Sequence, residues 1–316
     1  MIRAYTLPEY SQCKASAITE LEDAKNIIWI DLQASDLSEI KAVEKKYNIN
    51  FPTQQEHEEI ETSSRYVEED MTIKINSTFL IFNHATEKLD EQDISFILKD
   101  NILFTHRNFD SKVLAETVKR IKNQPQAFNH PSKILVSILE TRIDYDADTI
   151  EAISGKINEL SRTFGYHKNL DEKVIIRISS FQELMITVRE ALFDKQRVVS
   201  ALLKNDFIQK ENSEKLRIII KDINSLIDHT SFNFTRLEYL QNSFLGLINI
   251  EQNKIIKIFT IAAVVFMPPT LIASIYGMNF EVMPELQWAM GYPFALALIV
   301  LSSLITLWIF KRKKWL

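Results

Sequence analysis

A stripe of polar and small side chains runs along an otherwise apolar segment late in the sequence. Its members recur at alternating intervals of three and four residues, which is the period of one face of an α-helix. They are Asn253, Ile256, Thr260, Ala263, Met267, Thr270 and Ser274. Every hydroxyl or amide side chain between Asn253 and Ser274 falls on this stripe. The pattern predicts that the stripe lines a water-filled path for an ion.

Ordinary helix packing is the alternative explanation of the stripe. Ser and Thr in a membrane helix can donate back to carbonyls of their own helix, and small residues let helices approach closely. Against this, the stripe continues in the N-terminal direction through Asn249, Gly246 and Asn242. A polar or small stripe that extends beyond the apolar segment favours a lining.

A proline pair lies inside the same apolar segment. Pro268-Pro269 removes two backbone donors and frees carbonyls around Val264 and Val265. The pair predicts either a static kink or a bend that shapes the path beside Met267. Met267 is the bulkiest stripe residue within the membrane segment, and apolar rings can close a pore by dewetting, so we expect it to form a constriction.

Two charge-free segments of nineteen residues, Ile258–Tyr276 and Tyr292–Phe310, are each long enough to cross a bilayer. The connecting segment Gly277–Gly291 contains no lysine or arginine, whereas basic residues precede the first span and follow the second. These are Lys254, Lys257 and Lys311-Arg312-Lys313-Lys314. The positive-inside rule therefore predicts a multi-pass protein with both ends in the cytosol and the short loop outside.

The rest of the sequence predicts an α+β membrane protein with a large cytosolic part. Residues 1–130 are expected to form an α/β domain, 131–212 a helical hairpin, and 213–276 one long stalk helix that continues into the first span. An external loop (277–291), a second span (292–310) and a basic tail (311–316) follow. Predicted strands lie at Ile27–Ile30, Met71–Phe82, Ile94–Leu98 and Ile102–Thr105, and predicted helix caps at Ser35 or Asp36 and at Asp110 or Ser111.

Charge and composition narrow the function. Residues 254–316 carry six basic and two acidic side chains, which leaves −9 for residues 1–253 out of a net −5. That balance argues against nucleic acid and suits cations. The single cysteine, Cys13, and the lack of a signal peptide favour a cytosolic N-terminus. Without an HxxxH pair, a phosphate loop or a nucleophile with a base, the sequence predicts neither an enzyme nor a dedicated zinc site.

The segment that joins the two spans carries a family resemblance. Tyr276-Gly277-Met278-Asn279-Phe280 is followed by Met283-Pro284-Glu285-Leu286, and both lie between Phe266-Met267-Pro268-Pro269-Thr270 and Lys311–Leu316. Together these motifs resemble the CorA family. The resemblance is close over about residues 240–316 and loose in the N-terminal domain, where it rests on Trp29–Leu32 and the acidic stretch Glu56–Glu61.

The resemblance implies a homopentamer in the inner (plasma) membrane that conducts Mg²⁺, and also Co²⁺ and Ni²⁺, through the axis of five first helices. It implies a selectivity filter of Gly277, Met278 and Asn279, with Tyr276 supporting the turn. Mg²⁺ sheds water reluctantly, so the Asn279 amide is expected to contact the hydration shell and not the bare ion. Mg²⁺ would be both substrate and regulatory ligand, and no other cofactor is expected.

The acidic residues of the external loop and of the cytosolic part each have two possible roles. Glu281 and Glu285, the only charges in the external loop, either attract cations to the pore mouth or keep the loop soluble. The acidic runs of the cytosolic part are either solvated faces or regulatory cation sites, which the resemblance does not place. They are Glu56/Glu58/Glu59/Glu61, Glu68-Glu69-Asp70 and Asp144/Asp146/Asp148.

Three functions therefore compete. The first is a magnesium channel, the second a zinc-transporting relative of the same family, and the third a membrane-anchored sensor. The polar stripe and the filter-like loop disfavour a sensor because a simple anchor needs neither. Met283–Leu286 favours the magnesium branch over the zinc branch by resemblance.

Overall fold

The computed structural model describes residues 1–6, 11–15, 26–52, 65–69, 71–166, 172–279, 281 and 283–313. They divide into two compact units, Met1–Gln241 and Asn242–Leu316. The first unit contains a mixed sheet with helices on both faces. The second contains the two apolar segments and the loop that joins them.

Seven described strands form one sheet in the order β2-β1-β3-β7-β6-β5-β4. They are β1 (Ile2–Thr6), β2 (Ser11–Ala15), β3 (Ile27–Gln33), β4 (Tyr66–Glu69), β5 (Thr72–Asn83), β6 (Lys88–Lys99) and β7 (Ile102–Arg107). The pair β3 and β7 is parallel and the other pairs are antiparallel. All four predicted strands are present, as β3, β5, β6 and β7, whereas the short strands β1, β2 and β4 were not predicted.

The two helices that follow β3 and β7 start at the predicted caps. In α1 (Leu37–Tyr47) the Asp36 carboxylate accepts from the Glu39 backbone N–H at 2.8 Å, and the Glu39 carboxylate accepts from the Asp36 N–H at 3.2 Å. This reciprocal pair satisfies two donors that a helix start leaves free. In α2 (Lys112–Asn123) the Ser111 hydroxyl accepts from Leu114. Helix α1 packs on one face of the sheet and α2 on the other.

Three longer helices share the hydrophobic core of α2. They are α3 (Pro131–Tyr166), α4 (Glu172–Lys204) and α5 (Asp206–Tyr276), the last of which extends into the second unit. Helix α5 begins seven residues before the predicted start of the stalk helix at residue 213, and the single residue between α4 and α5 is Asn205. Its side-chain oxygen accepts from the Ile208 N–H at 3.0 Å, and its amide donates to Glu68 on β4 at 2.8 Å. Because Ile208 is fully buried, the first turn of α5 packs against the first unit even though most residues of this segment are polar.

A buried charge cluster ties α3 and α4 to the sheet. Asp146 on α3 accepts from Arg142 Nε at 3.0 Å and lies 3.3 Å from Lys195 Nζ on α4. Arg142 also donates to the Leu80 carbonyl of β5 at 2.9 Å. Burial opposes ionisation of Asp146, but Arg142 and Lys195 outweigh it and hold the pKa of Asp146 below its ordinary value. The run Asp144/Asp146/Asp148 is therefore not one solvated face, since its middle member is buried and paired.

Loss of the Asp146 charge should destabilise the first unit. Asp146→Asn leaves the buried cations of Arg142 and Lys195 without their anion, and breaking such a pair typically costs about 3–5 kcal/mol. We expect a clearly lower melting temperature of the purified full-length protein by differential scanning fluorimetry. Asp148→Asn is the matched control, because Asp148 is exposed two residues away on the same helix. Equal melting temperatures for the two variants would contradict a stabilising role of the cluster.

Candidate ion-conduction site

The predicted stripe lies on the uncovered side of α5 within the second unit. All seven stripe residues, from Asn253 to Ser274, are exposed in the single chain. The side chains that are partly or fully covered recur with the same helical period on the opposite side. They are Ile261, Val264, Val265, Pro268, Pro269, Ile272 and Tyr276. One chain therefore leaves the stripe uncovered, together with apolar residues on its flanks such as Phe259, Phe266 and Leu271.

The hydroxyl groups of the stripe differ in their partners. Thr270 Oγ1 donates to the Phe266 carbonyl at 2.8 Å, so the packing explanation accounts for this donor. Among the described residues, neither the Thr260 hydroxyl nor the Ser274 hydroxyl has a hydrogen-bond partner. The polar groups of the stripe are these two hydroxyls, the exposed Asn253 amide and the acceptor side of the Thr270 hydroxyl.

The proline pair does not end the helix. Helix α5 continues through Pro268 and Pro269 to Tyr276, although both residues lack the donor of an i to i−4 hydrogen bond. Pro269 is buried, whereas Met267 beside it is 66% exposed. The pair thus faces the covered side, and Met267 projects on the stripe with no described side chain covering it.

The predicted filter residues stand together at the end of α5. The Gly277 N–H donates to the Ala273 carbonyl at 3.0 Å, and the Met278 N–H donates to the Ile275 carbonyl at 3.2 Å. A β-carbon at position 277 would lie 3.2 Å from the Ala273 oxygen, so glycine suits this tight exit. Met278 and Asn279 follow with exposed side chains, while Tyr276 is half-buried. The Tyr276 side chain is thus partly covered at the end of α5, and the Asn279 side chain is exposed beyond it.

The described part of the loop that joins the spans contains a regular turn. A 3-10 turn covers Pro284–Gln287, and the Gly291 N–H donates to the Trp288 carbonyl at 2.9 Å. A β-carbon on Gly291 would overlap the Glu285 carbonyl oxygen, so the turn packs directly on the start of α6 (Gly291–Arg312). Glu281 and Glu285 are both exposed. The contact between Gly291 and Glu285 depends on chain geometry that no sequence motif shows.

The acidic runs yield no cation site in the part of one chain that the structure describes. No group of three or more histidine, cysteine, aspartate or glutamate side chains there could hold a metal ion. Glu68 accepts from Tyr66 at 3.0 Å and Asp144 from Arg120 at 3.3 Å. The run Glu56/Glu58/Glu59/Glu61 and Asp70 lie outside the described residues.

Two described helices are long and apolar enough to cross a membrane. The regions are Asn212–Tyr276 and Gly291–Arg312, and the most apolar stretch of each is almost wholly uncovered in the single chain. A core helix of a soluble domain would instead be buried. The uncovered surface agrees with two membrane spans that contact lipid or other copies.

Comparisons with known proteins agree with this architecture. The magnesium transport protein CorA of Wolinella succinogenes is 42% identical over 305 residues, which are 95% of each chain. The protein of the same name from Escherichia coli K12 is 34% identical over 318 residues and all of both chains. The solved CorA magnesium transporter of Methanocaldococcus jannaschii matches all of this chain and 99% of its own, with a TM-score of 0.83 at 22% identity.

The family described as CorA-like Mg²⁺ transporter protein matches residues 24–312. This range includes most of the first unit, the stripe, residues 277–279 and both apolar helices. The chain therefore belongs to the CorA family.

Proposed function

We propose that this chain is one protomer of a channel that carries Mg²⁺ into the cytosol down its electrochemical gradient and also passes Co²⁺ and Ni²⁺. The observation that carries the proposal is the exposed polar stripe of α5, which leads to the exposed Asn279 amide at the helix end. The relatives named magnesium transport protein support Mg²⁺ as the main substrate.

An ion path requires several copies of the chain. Two spans cannot enclose water, whereas a ring of α5 helices with their stripes turned inward can. We take the ring to be a homopentamer, as the family resemblance implies, with α6 outside and both chain ends in the cytosol. The uncovered stripe supports this arrangement, because its polar side chains need water or other polar groups as partners and the chain's own residues do not cover them.

The filter segment would act on a hydrated ion. Mg²⁺ holds its water shell tightly, and neutral amides can hydrogen-bond that shell with both donors and acceptors. A ring of Asn279 side chains would provide such contacts. Gly277 and Met278 would fix the backbone conformation at the end of α5 and so the position of Asn279. Conduction requires binding weak enough to release, which a neutral amide satisfies better than a carboxylate ring.

Charge and membrane potential would supply the direction of transport. The exposed Glu281 and Glu285 would raise the concentration of cations at the external mouth. A potential of 100 mV then contributes roughly 4–5 kcal/mol to the entry of one divalent ion.

Cytosolic Mg²⁺ would close the channel. The charge of −9 on residues 1–253 repels neighbouring subunits, and divalent ions between carboxylates would relieve that repulsion. Filling of such sites would favour a closed arrangement of the stalks, and their emptying would let the path widen at Met267. Mg²⁺ on the cytosolic side of a liposome is accordingly expected to reduce flux.

Flux through the purified protein tests the proposal. Liposomes that contain the protein and an ion-sensitive dye are exposed to Mg²⁺, Co²⁺, Ni²⁺ or Zn²⁺ under an inside-negative potential. Uptake of Mg²⁺ with competition by Co²⁺ supports the channel. Uptake of Zn²⁺ that Mg²⁺ does not inhibit would favour a zinc transporter, and no uptake of any ion would favour a sensor.

A further inference from the structure

The cytosolic end of α6 carries basic residues that no described carboxylate neutralises. Lys311 and Arg312 form the last turn of the helix and Lys313 its cap, and all three are exposed. Among the described residues none of the three forms an ion pair. Lys254 on α5 differs, because its ammonium lies 3.7 Å from Glu251. The end of α6 is therefore an uncompensated positive surface directly beside an apolar span.

An aromatic side chain organises this surface. The Arg312 guanidinium lies 5.4 Å from the ring centroid of Trp308, one helical turn earlier, and Trp308 is 60% exposed. A cation over an aromatic face is held electrostatically, which limits the rotamers of the arginine. The planar guanidinium carries five N–H donors, so it can donate to an anion while it lies over the ring.

Positive charge at this end also has two simpler roles, namely setting topology and complementing the helix dipole. Either role needs only charge, so lysine would serve as well as arginine and the aromatic ring would be unnecessary. The Trp308–Arg312 pair adds a fixed, planar donor at the depth where tryptophan prefers the membrane interface. Such a donor matches the paired oxygens of a phosphate group.

We propose that Trp308, Arg312 and the neighbouring Lys311 and Lys313 form a binding site for the phosphate headgroup of an anionic phospholipid of the cytosolic leaflet. Arg312 donates to the phosphate oxygens from its edge, and the two lysines add charge around it. The exposed indole packs against the upper acyl chain. The inference rests on the membrane topology proposed above, since this end of α6 must lie at the cytosolic interface.

Native mass spectrometry of the purified full-length protein tests the site. The protein is titrated with dioleoyl phosphatidylglycerol or with dioleoyl phosphatidylcholine, which has the same chains and no net charge. We expect tighter binding of phosphatidylglycerol, and a loss on the order of fivefold in Arg312→Gln, because one basic side chain near an anionic surface contributes about that factor. Trp308→Leu should weaken binding in the same direction, and Arg312→Lys should restore only part of it.

Lys254→Gln is the matched control, because it also removes one exposed cation but one that already has a carboxylate partner. An equal loss in Lys254→Gln and Arg312→Gln would overturn the site, since general attraction would then suffice. Wild-type affinity in Arg312→Lys would overturn the role of the stacked guanidinium. Displacement of the lipid by millimolar inorganic phosphate would overturn the assignment to a lipid.

Ion flux separates this inference from the proposed function. Arg312→Gln is expected to assemble normally and to conduct Mg²⁺ in phosphatidylcholine liposomes as the unmodified protein does. Normal flux with unchanged lipid affinity would therefore reject only the lipid site. Absence of flux in the unmodified protein would reject the channel and leave the lipid titration to stand on its own result.

Discussion

Replacement of Asn279 by alanine is expected to reduce Mg²⁺ uptake into liposomes to the level of protein-free vesicles. The exposed amide stands directly beyond the end of the stripe helix and combines donors and acceptors without net charge. In a ring of five copies, the Asn279 amides would hydrogen-bond the water molecules that surround Mg²⁺, in place of bulk water. Because the side chain is uncovered, its removal should leave folding and assembly intact, which size-exclusion chromatography can verify.

Asn279→Asp separates charge from hydrogen bonding at the same position. The change keeps the size of the side chain, adds a negative charge and removes the donors. It is expected to bind divalent ions more tightly and to conduct poorly, because release becomes slow. Gln287→Ala is the control, since Gln287 is another exposed amide of the same loop and should be dispensable. Normal Mg²⁺ uptake by assembled Asn279→Ala protein would remove the filter assignment.

Met267→Ser is expected to raise resting flux under conditions that close the unmodified channel, with Mg²⁺ at millimolar concentration on the cytosolic side. Met267 is 66% exposed on the stripe, and its turn of the helix includes the proline pair. A ring of methionines would exclude water from a narrow path, whereas a ring of serines would admit it.

Met267→Leu provides the matched comparison because it keeps an apolar side chain of similar volume. It should close as tightly as the unmodified protein. If the Met267→Ser variant shows the same low resting flux as the unmodified protein, the barrier to ions lies at another position along α5 or in the cytosolic domain.

Short sequence patterns predicted the helix starts and the apolar helices, because these depend on residues that are close together in the chain. The caps Asp36 and Ser111 stand at the helix starts where their hydrogen bonds were expected. The long helix through Pro268-Pro269 and the two apolar spans also follow from residue types over short windows. The seven stripe positions share one exposed side because a helical period determines faces without any knowledge of neighbours.

Features that depend on distant parts of the chain were missed. Asp146 belongs by sequence to an acidic run, yet Arg142 and Lys195 enclose it, and Lys195 lies on the next helix. Gly291 requires its small size because the Glu285 carbonyl packs against it. Asn205 is the single residue between two helices, and its amide also donates to Glu68, which is far away in sequence. The pairs Asp146–Lys195 and Asn205–Glu68 join residues far apart in sequence, so no local motif indicates them.

Cysteine accessibility along α5 tests the central claim, that the stripe lines a water-filled ion path. Single cysteines are introduced in a Cys13→Ser background, and the protein is treated in membranes with a water-soluble thiol reagent. The stripe variants are Ile256→Cys, Ala263→Cys and Thr270→Cys, and the off-stripe variants are Ile258→Cys, Val265→Cys and Ile272→Cys. We predict that the stripe variants react or cross-link between subunits and that the off-stripe variants do neither. Reaction of the off-stripe set alone would contradict the claim.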